Sequence, residues 1–288
     1  MRKRPRRWQN FGMDLDRQHV RDLIQRAFDE DLPDITSEAI FEPTDRGTAS
    51  FLMKADGVLA GLDFAEEVFA MLDASAQFER KAQDGDRVAP GDIVATVSAS
   101  VIALLSGERT ALNLMQRASG IATATRRYVD AIAGTKAGIY DTRKTAPGLR
   151  VLDKYAVEAG GGRNHRIGLF DMFLVKNNHI DRAGSITAAV ERIRATGKPQ
   201  PVMIEVRNDA ELGEALAQKP DFILLDNMTP DEMRAAVIRT NGAVALEASG
   251  GITLENVRAV AETGVDRISI GALTHSVKGL DISLRIAR

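Results

Sequence analysis

The chain has 288 residues, of which 44% are apolar and 27% are charged, as is usual for a globular protein with one large domain or two smaller ones. It contains no cysteine, which excludes disulfides and thiolate metal sites, and no run of about 20 apolar residues, which excludes a transmembrane helix. The net charge of −2 argues against a general nucleic-acid binder, and the cytoplasm is the expected location.

The chain opens with a basic run, MRKRPRR, and no apolar segment follows it, so the run is not a secretory signal. An arm that contacts nucleic acid is one interpretation, but we favour a disordered, solvated tail over residues 1–13. Met13 stands directly before the first helical pattern, so residues 1–12 are alternatively an upstream extension. That pattern has apolar residues at Leu15, Val20, Leu23, Ile24 and Phe28.

The region up to Val101 mixes short strands with one helix, which predicts a strand-rich α/β domain. Strands are expected at 49–54, 58–61, 77–80 and 93–97, and a helix at 64–72. The turn DGDRVAPGD at 84–92 also occurs in biotinyl and lipoyl carrier domains, which suggests a carrier module as an alternative. A carrier presents a lysine on a tight hairpin soon afterwards, and residues 93–106 contain none, so we reject that alternative.

A long helix is predicted from Ser106 to Ile132, with a bend at Gly120. Arg109 lies in its first turn, where the helix dipole disfavours a cation, which is weak evidence for a role elsewhere. We expect residues 14–118 to form the N-terminal α/β domain, ending in this linking helix, and residues 119–288 to form a barrel that finishes with a C-terminal helix after Ser276.

From residue 137 onward strand and helix patterns alternate, which indicates βαβ units and a parallel sheet. Because six strands are evident rather than eight, we predict an open six-stranded parallel α/β barrel. The strand candidates are Ala137–Tyr140, Met172–Val175, Val202–Val206, Phe222–Leu225, Ala243–Ala248 and Arg267–Ile270.

The segment between the first two of these strands is the most informative part of the chain. A helix is expected near Leu149–Ala156, ended by the glycines at 160–162, with Arg150 and Lys154 as solvated surface charges. Ligands of parallel α/β folds bind at the carboxyl ends of strands. The cations at those ends could therefore face one pocket for an anion with several charges; they are Arg143, Lys144, His165, Arg166 and Lys176.

The ends of the other four strands also carry residues that are suited to binding a charged, phosphorylated ligand. Glu205 and Asp226 end the third and fourth strands, and a pair of carboxylates suits Mg²⁺ or sugar hydroxyls. The fifth and sixth strands lead into Ser249-Gly250-Gly251 and Gly271-Ala272, and glycine turns let backbone N–H groups approach a phosphate. The four histidines form no zinc motif, and no nucleophile elbow or Walker A loop is present.

These motifs resemble those of the quinolinate phosphoribosyltransferase family, also called nicotinate-nucleotide pyrophosphorylase (carboxylating), from about Asp14 onward. The matching segments are GERTALNLMQRASGIAT, YDTRKTAPGLRVLDKYAV, GGGRNHRIGLFDMFLVKNNHI, FILLDNM, LEASGGI and GALTHSVKGLDISL. The resemblance implies a strand-rich domain beside an open α/β barrel. It also implies that quinolinate and phosphoribosyl pyrophosphate are joined with Mg²⁺, giving nicotinate mononucleotide, CO₂ and pyrophosphate in NAD biosynthesis.

The resemblance further implies a role for each matching residue. Arg109, Arg143, His165, Arg166 and Lys176 would bind quinolinate, and Lys144 would lie near the pyrophosphate and the reacting centre. Glu205 and Asp226 would hold the ribose and the metal, and His275 has a less defined part. The 5′-phosphate would be held by Ser249, Gly250, Gly271 and Ala272. Arg109 would reach the site of a neighbouring subunit, which implies a homodimer with shared active sites. From the net charge and the lack of a long apolar run we expect no nucleic-acid or membrane partner.

The sequence departs from the family at Met203 and Arg207, where the family often has further acids, which puts the metal shell in question. Two alternative enzymes stay open. One is a paralogue of this fold found with molybdate transport, against which the GERTALN and GALTHS segments argue. The other is a nicotinate phosphoribosyltransferase, which would bind one carboxylate and release no CO₂.

Overall fold

A computed structural model describes residues 17–287 of the chain, so the predicted tail at 1–13 lies outside the described residues. The helices are α1 Arg17–Asp31, α2 Ile35–Ile40, α3 Leu62–Leu72, α4 Val101–Ala131, α5 Arg150–Ala159, α6 Asn177–Ala183, α7 Ile186–Ala195, α8 Asp209–Ala217, α9 Pro230–Thr240, α10 Val257–Ala261 and α11 Ala272–His275. The strands are β1 Arg46–Met53, β2 Gly57–Val58, β3 Gln77–Arg80, β4 Arg87–Val88, β5 Ile93–Ser100, β6 Gly138–Tyr140, β7 Phe173–Val175, β8 Val202–Val206, β9 Phe222–Asp226, β10 Ala245–Ser249, β11 Arg267–Ser269 and β12 Ile282–Ile286.

The chain divides into two compact units. The first takes the residues up to 126 together with 145–161 and those from 274 on, and the second takes 127–144 and 162–273. The predicted domain boundary at 118–119 lies within α4, and so does the boundary between the units after Arg126.

In the first unit, a four-stranded antiparallel sheet runs in the order β12-β1-β5-β3. The strand-rich α/β domain predicted here is confirmed. Its core is formed by apolar side chains such as Phe51, Phe64 and Phe69, none of which is exposed. Phe51 and Phe69 pack edge to face with ring centroids 6.2 Å apart, a favourable arrangement for aromatic pairs.

The C-terminal helix that we predicted after Ser276 is wrong, because Ile282–Ile286 is a strand that pairs antiparallel with β1. The segment alternates apolar Ile282, Leu284 and Ile286 with polar Ser283 and Arg285, which is the period of a strand. Ile282 and Leu284 are buried on its inner face. Strands and helices alternate before residue 276, and this alternation predicts a further helix. The apolar and polar residues of 282–286 instead alternate with the period of a strand.

Helix α4 runs without interruption through Gly120, the residue at which we expected a bend. A Cβ at this position would lie 2.2 Å from the backbone oxygen of Lys278. The glycine is therefore required by the close approach of the returning chain.

Helix α5 is held in the first unit by buried polar contacts. Arg117 Nε and one guanidinium nitrogen bind the two carboxylate oxygens of Asp153 at 2.7 and 2.8 Å. Tyr155 donates to Asp84, whose carboxylate also accepts from the backbone N–H of Gly61. Lys154 is fully buried, so its interpretation as a solvated charge is wrong: it lies on the inward face of α5 with Tyr155. Asp84, in the turn that resembled a carrier domain, is thus a structural anchor.

In the second unit, six parallel strands form a sheet in the order β6-β11-β10-β9-β8-β7. Strands β6 and β7 lie at its two edges, so the open six-stranded parallel barrel predicted from the sequence is confirmed. One face of the sheet presents apolar side chains with no exposure, including Ile204, Leu225, Ala248 and Ile268. The polar residues of the strands lie on the other face.

Candidate active site

Strand register brings the polar strand-end residues onto one face of the sheet. Residues paired in parallel strands point to the same side, and every second residue does so along each strand. Glu205 is paired with Leu224, and Leu224 with Glu247. Asp226 is paired with Ser249, one step nearer the carboxyl ends. Glu205, Asp226, Glu247 and Ser249 therefore share a face. Asp226 and Ser249 lie at the carboxyl edge, and Glu205 lies one step below it, level with Glu247.

Two of the predicted cations lie close enough to repel each other. Arg143 and Lys144 follow β6, and the segment that carries Arg166 returns beside the same strand through a bridge between Tyr140 and Arg163. Burial and the positive charge of Arg143 lower the pKa of Arg166, and Asp171 opposes them only in part. Among the described residues, the buried Nε of Arg143 has no hydrogen-bond partner. An anion placed between two such partly buried guanidinium groups would be attracted by both charges.

Lys176 and Glu205 form an ion pair across neighbouring strands. The Nζ of Lys176 lies 3.6 Å from the Oε2 of Glu205. The lysine side chain is 52% exposed and the carboxylate only 9%, so the lysine is the partner that can turn toward a ligand. Lys144 is also exposed, and its backbone N–H donates to the Thr142 hydroxyl at 3.0 Å, which shapes the turn after β6.

A buried cluster that the residues at the strand ends do not reveal lies one layer below the carboxyl edge. Glu247 is fully buried and lies in register with Arg267, whose Nε is 2.8 Å from its Oε2. On its other side the Oε1 of Glu247 faces the Nε2 of His165 at 3.4 Å. The guanidinium of Arg267 stacks on the rings of Tyr140 and Phe222, 4.0 and 4.6 Å from their centroids.

The cluster keeps Glu247 ionised. Burial raises the pKa of Glu247, but the contact with His165 and the positive charge of Arg267 outweigh burial, so the pKa lies below its ordinary value. One feature of the sequence could have revealed the pair Glu247 and Arg267. Each is a charged residue inside an otherwise apolar strand segment, ALEAS and RISI, and the two charges are opposite. Strand order, which the sequence does not state, makes those strands neighbours.

The fifth strand ends in a glycine turn with left-handed backbone. Gly250 and Gly251 have φ angles of +97° and +61°, which L-residues with a side chain rarely adopt. Gly271 and Ala272 follow β11 at the same edge of the sheet. Both segments that we predict to bind phosphate thus follow neighbouring strands of the second unit.

Two predicted site residues belong to the first unit. Arg109 is exposed on α4, and His275 is exposed at the end of α11, with its Nδ1 2.7 Å from the Ser276 hydroxyl. The other predicted residues all lie in the second unit.

The carboxylates offer a limited set of metal ligands. Among residues 17–287, no group of three or more histidine, aspartate or glutamate side chains is placed to hold a metal ion. Met203 is buried in β8 and Arg207 is paired with Glu211 at 2.9 Å, and neither side chain carries a carboxylate oxygen that could bind a metal. Two carboxylate donors suit Mg²⁺, which is usually held by one or two protein carboxylates together with substrate phosphates and water.

Comparison with known proteins places the chain among relatives along nearly its whole length. The family models for the N-terminal and C-terminal domains of quinolinate phosphoribosyl transferase match residues 34–119 and 121–285. A probable nicotinate-nucleotide pyrophosphorylase [carboxylating] of Bacillus subtilis is 44% identical over 93% of both chains. The Mycobacterium leprae protein named nicotinate-nucleotide pyrophosphorylase [carboxylating] is 45% identical over 92% of this chain and 96% of its own length.

Solved structures agree with these relatives. The nicotinate-nucleotide pyrophosphorylase of Francisella tularensis superposes with a TM-score of 0.90 at 39% identity, covering 95% of this chain and 98% of that one. That of Ehrlichia chaffeensis gives a TM-score of 0.89 at 41% identity, covering 96% of this chain and all of that one. None of the described helices is long and apolar enough to cross a membrane. The chain belongs to the quinolinate phosphoribosyl transferase family.

Proposed function

We propose that this protein transfers the phosphoribosyl group of phosphoribosyl pyrophosphate to quinolinate and decarboxylates the product, as a step of de novo NAD biosynthesis. The products are nicotinate mononucleotide, CO₂ and pyrophosphate. The observation that carries the proposal is the repulsive pair Arg143 and Arg166 in the second unit of a chain from this family. Such a pair stabilises a bound dianion, and quinolinate is one.

The cationic side chains of the site would bind quinolinate. Arg143, Arg166 and Lys176 would bind the two carboxylates through charge-assisted hydrogen bonds, each worth about 1.5–3 kcal/mol. Several such bonds orient the pyridine ring so that its nitrogen faces the anomeric carbon of the ribose. This orientation supplies the entropic part of catalysis. His165 stays a predicted quinolinate-binding residue, and Arg109 would be supplied by the neighbouring subunit.

The transfer step needs stabilisation of separating charges. The bond between the anomeric carbon and the pyrophosphate oxygen breaks with its electron pair going to pyrophosphate, while the sugar becomes oxocarbenium-like. Lys144 would offset the charge that grows on the leaving group. Ser249, Gly250, Gly271 and Ala272 would hold the 5′-phosphate through backbone N–H groups. Glu205 and Asp226 would bind the ribose hydroxyls.

Decarboxylation follows from the chemistry of the new bond. Once the ring nitrogen carries the ribose it is a pyridinium, and the electron pair left at C2 by departing CO₂ is stabilised by that positive charge. C2 then takes up a proton, and no covalent enzyme intermediate is required.

We propose Mg²⁺ as the metal, held by Glu205 and Asp226 together with substrate oxygens. When bound, it supplies positive charge to the pyrophosphate. The ion pair between Lys176 and Glu205 supports this assignment, because the lysine is the exposed partner and can turn away from the carboxylate. His275 stays a predicted substrate-binding residue with a less defined role.

We propose further that the protein is a cytoplasmic homodimer in which Arg109 completes the partner's site. The exposure of Arg109 on α4 supports this, since an arginine in the first unit is available to a neighbouring subunit. A two-fold interface would give each site one such arginine.

The deciding experiment incubates the protein with Mg²⁺, phosphoribosyl pyrophosphate and quinolinate labelled in its 2-carboxylate, and traps CO₂. We expect release of labelled CO₂ with formation of nicotinate mononucleotide in equal amount. Consumption of nicotinate but not quinolinate would show that the protein is a nicotinate phosphoribosyltransferase instead.

A further inference from the structure

Both ring nitrogens of His165 contact groups of its own unit, and its backbone is also held. Its Nδ1 accepts the backbone N–H of Arg166 at 2.7 Å, and its own backbone N–H donates to Asp141 at 2.7 Å. A ring nitrogen that accepts a hydrogen bond carries no proton, so the proton of this imidazole resides on Nε2. That nitrogen faces Glu247.

Glu247 is suited to this place by its chemistry. Its carboxylate is fully buried and faces three groups that carry donors, the Nε2 of His165, the Nε of Arg267 and the hydroxyl of Ser269. The first two are ion-pair contacts, at 3.4 and 2.8 Å, without the angles of hydrogen bonds. A carboxylate only accepts, so it can face three donors at once, whereas the amide of glutamine must turn an N–H toward at least one of them. An uncompensated donor in a buried site is costly.

The position of Glu247 is itself fixed. Strand β10 lies inside the sheet between β9 and β11, and Arg267 is clamped by the rings of Tyr140 and Phe222. The chain of contacts therefore runs from rigid strands through Glu247 to His165, and from His165 to the backbone of Arg166. Arg166 is the proposed quinolinate cation whose guanidinium also donates to the Met172 carbonyl at 3.0 Å.

We propose that Glu247 is a positioning residue for the quinolinate half of the site, and that it acts through His165 on Arg166. This inference rests on the proposed function. Glu247 fixes the imidazole in one tautomer, and the imidazole fixes the backbone of Arg166, so the guanidinium is aimed before quinolinate arrives. Such preorganisation lowers the cost of binding without any contact between Glu247 and the substrate.

The test compares Glu247→Gln with Glu67→Gln. Glu67 is also a buried carboxylate paired with an arginine, Arg17 at 2.8 Å, but it belongs to the first unit. For Glu247→Gln we expect the KM for quinolinate to rise about tenfold or more, as for a lost contact to a charged partner, with the KM for phosphoribosyl pyrophosphate changed less than about twofold. Glu67→Gln should change neither KM.

A second readout does not depend on activity. In wild-type protein labelled with ¹⁵N-histidine, His165 should show the Nε2-protonated tautomer, its signal assigned by its loss in His165→Asn. In Glu247→Gln the same signal should move toward averaged tautomers. A wild-type His165 protonated at Nδ1 would overturn the inference even if the glutamine variant did not fold.

The outcomes separate this inference from the proposed function. A wild-type protein that releases no CO₂ from quinolinate refutes the function. The positioning role alone is refuted if the wild type is active and the Glu247→Gln variant keeps the wild-type KM for quinolinate. It is also refuted if the variant raises the KM for quinolinate and the KM for phosphoribosyl pyrophosphate by the same factor.

Discussion

Asn227 and Gly250 interlock at the carboxyl edge of the second unit: a Cβ at Gly250 would lie 2.1 Å from the Oδ1 of Asn227. Asn227 has a left-handed backbone, with φ of +55°, and its N–H donates to the carbonyl of Ser249 at 2.9 Å. The turn after β9 and the turn after β10 are thus built as one piece. A proposed metal carboxylate, Asp226, and the proposed phosphate turn share this support.

The interlock predicts a selective effect of Gly250→Ala. The added methyl group must displace Asn227 and the turn, so we expect the KM for phosphoribosyl pyrophosphate to rise about tenfold or more, while quinolinate binding changes little. Steady-state kinetics with each substrate varied in turn would measure this.

Gly251→Ala is the matched control, because Gly251 also has positive φ but no atom lies within 4 Å of its Cβ position. It adds backbone strain of about 1 kcal/mol without a clash. Equal effects of the two substitutions would mean that strain, and not contact with Asn227, explains the loss.

Lys144→Ala should reduce turnover far more than quinolinate affinity. If Lys144 stabilises the departing pyrophosphate, its loss removes one electrostatic contact of the transition state, and kcat should fall about 10²–10³-fold. Calorimetry would measure quinolinate binding to the variant. Lys198→Ala is the control, since Lys198 is exposed before β8, at the opposite end of the strands. A loss of affinity as large as the loss of rate would contradict the assignment.

The repulsion between Arg143 and Arg166 predicts that a dianion stabilises the free protein. Phthalate, which carries two carboxylates, should raise the melting temperature, with about 2.7 kcal/mol of added stability at one hundred times its Kd. Benzoate at the same concentration should raise it much less. The phthalate effect should be lost in Arg166→Ala and kept in Arg234→Ala, whose arginine is exposed on α9. Equal shifts from both acids would show that the site does not distinguish two carboxylates from one.

A shared active site predicts complementation between two inactive variants. Arg109→Ala and Lys144→Ala should each be nearly inactive, because each site lacks one residue. After subunit exchange in equal amounts, half the dimers are hybrids, and each hybrid has one site with both substitutions and one with neither. Activity should therefore return to about one quarter of the wild-type value by symmetry. No return after exchange verified by mass spectrometry would place Arg109 in the site of its own subunit.

The alternation of strands and helices was readable from the sequence because each strand is a short apolar run that ends in a polar residue. Glu205, Asp226 and Ser249 were found in this way, and register places them on one face. Glu247 was missed because it lies inside a strand, and its partner Arg267 becomes its neighbour only when β10 and β11 pair. The prediction that Lys154 is solvated was wrong because the spacing of apolar residues shows which face of a helix is buried. It does not show how deeply the helix packs, and Lys154 is fully buried.

The pairing of β12 with β1 can form only late in the synthesis of the chain. Its partner β1 ends at Met53, so more than two hundred residues must be synthesised before Ile282 can pair with it. At 5–20 residues per second, β1 waits roughly ten to fifty seconds on the ribosome with one edge uncovered. An uncovered strand edge invites pairing with other chains. The sheet of the first unit therefore cannot be completed until synthesis of the chain is nearly finished.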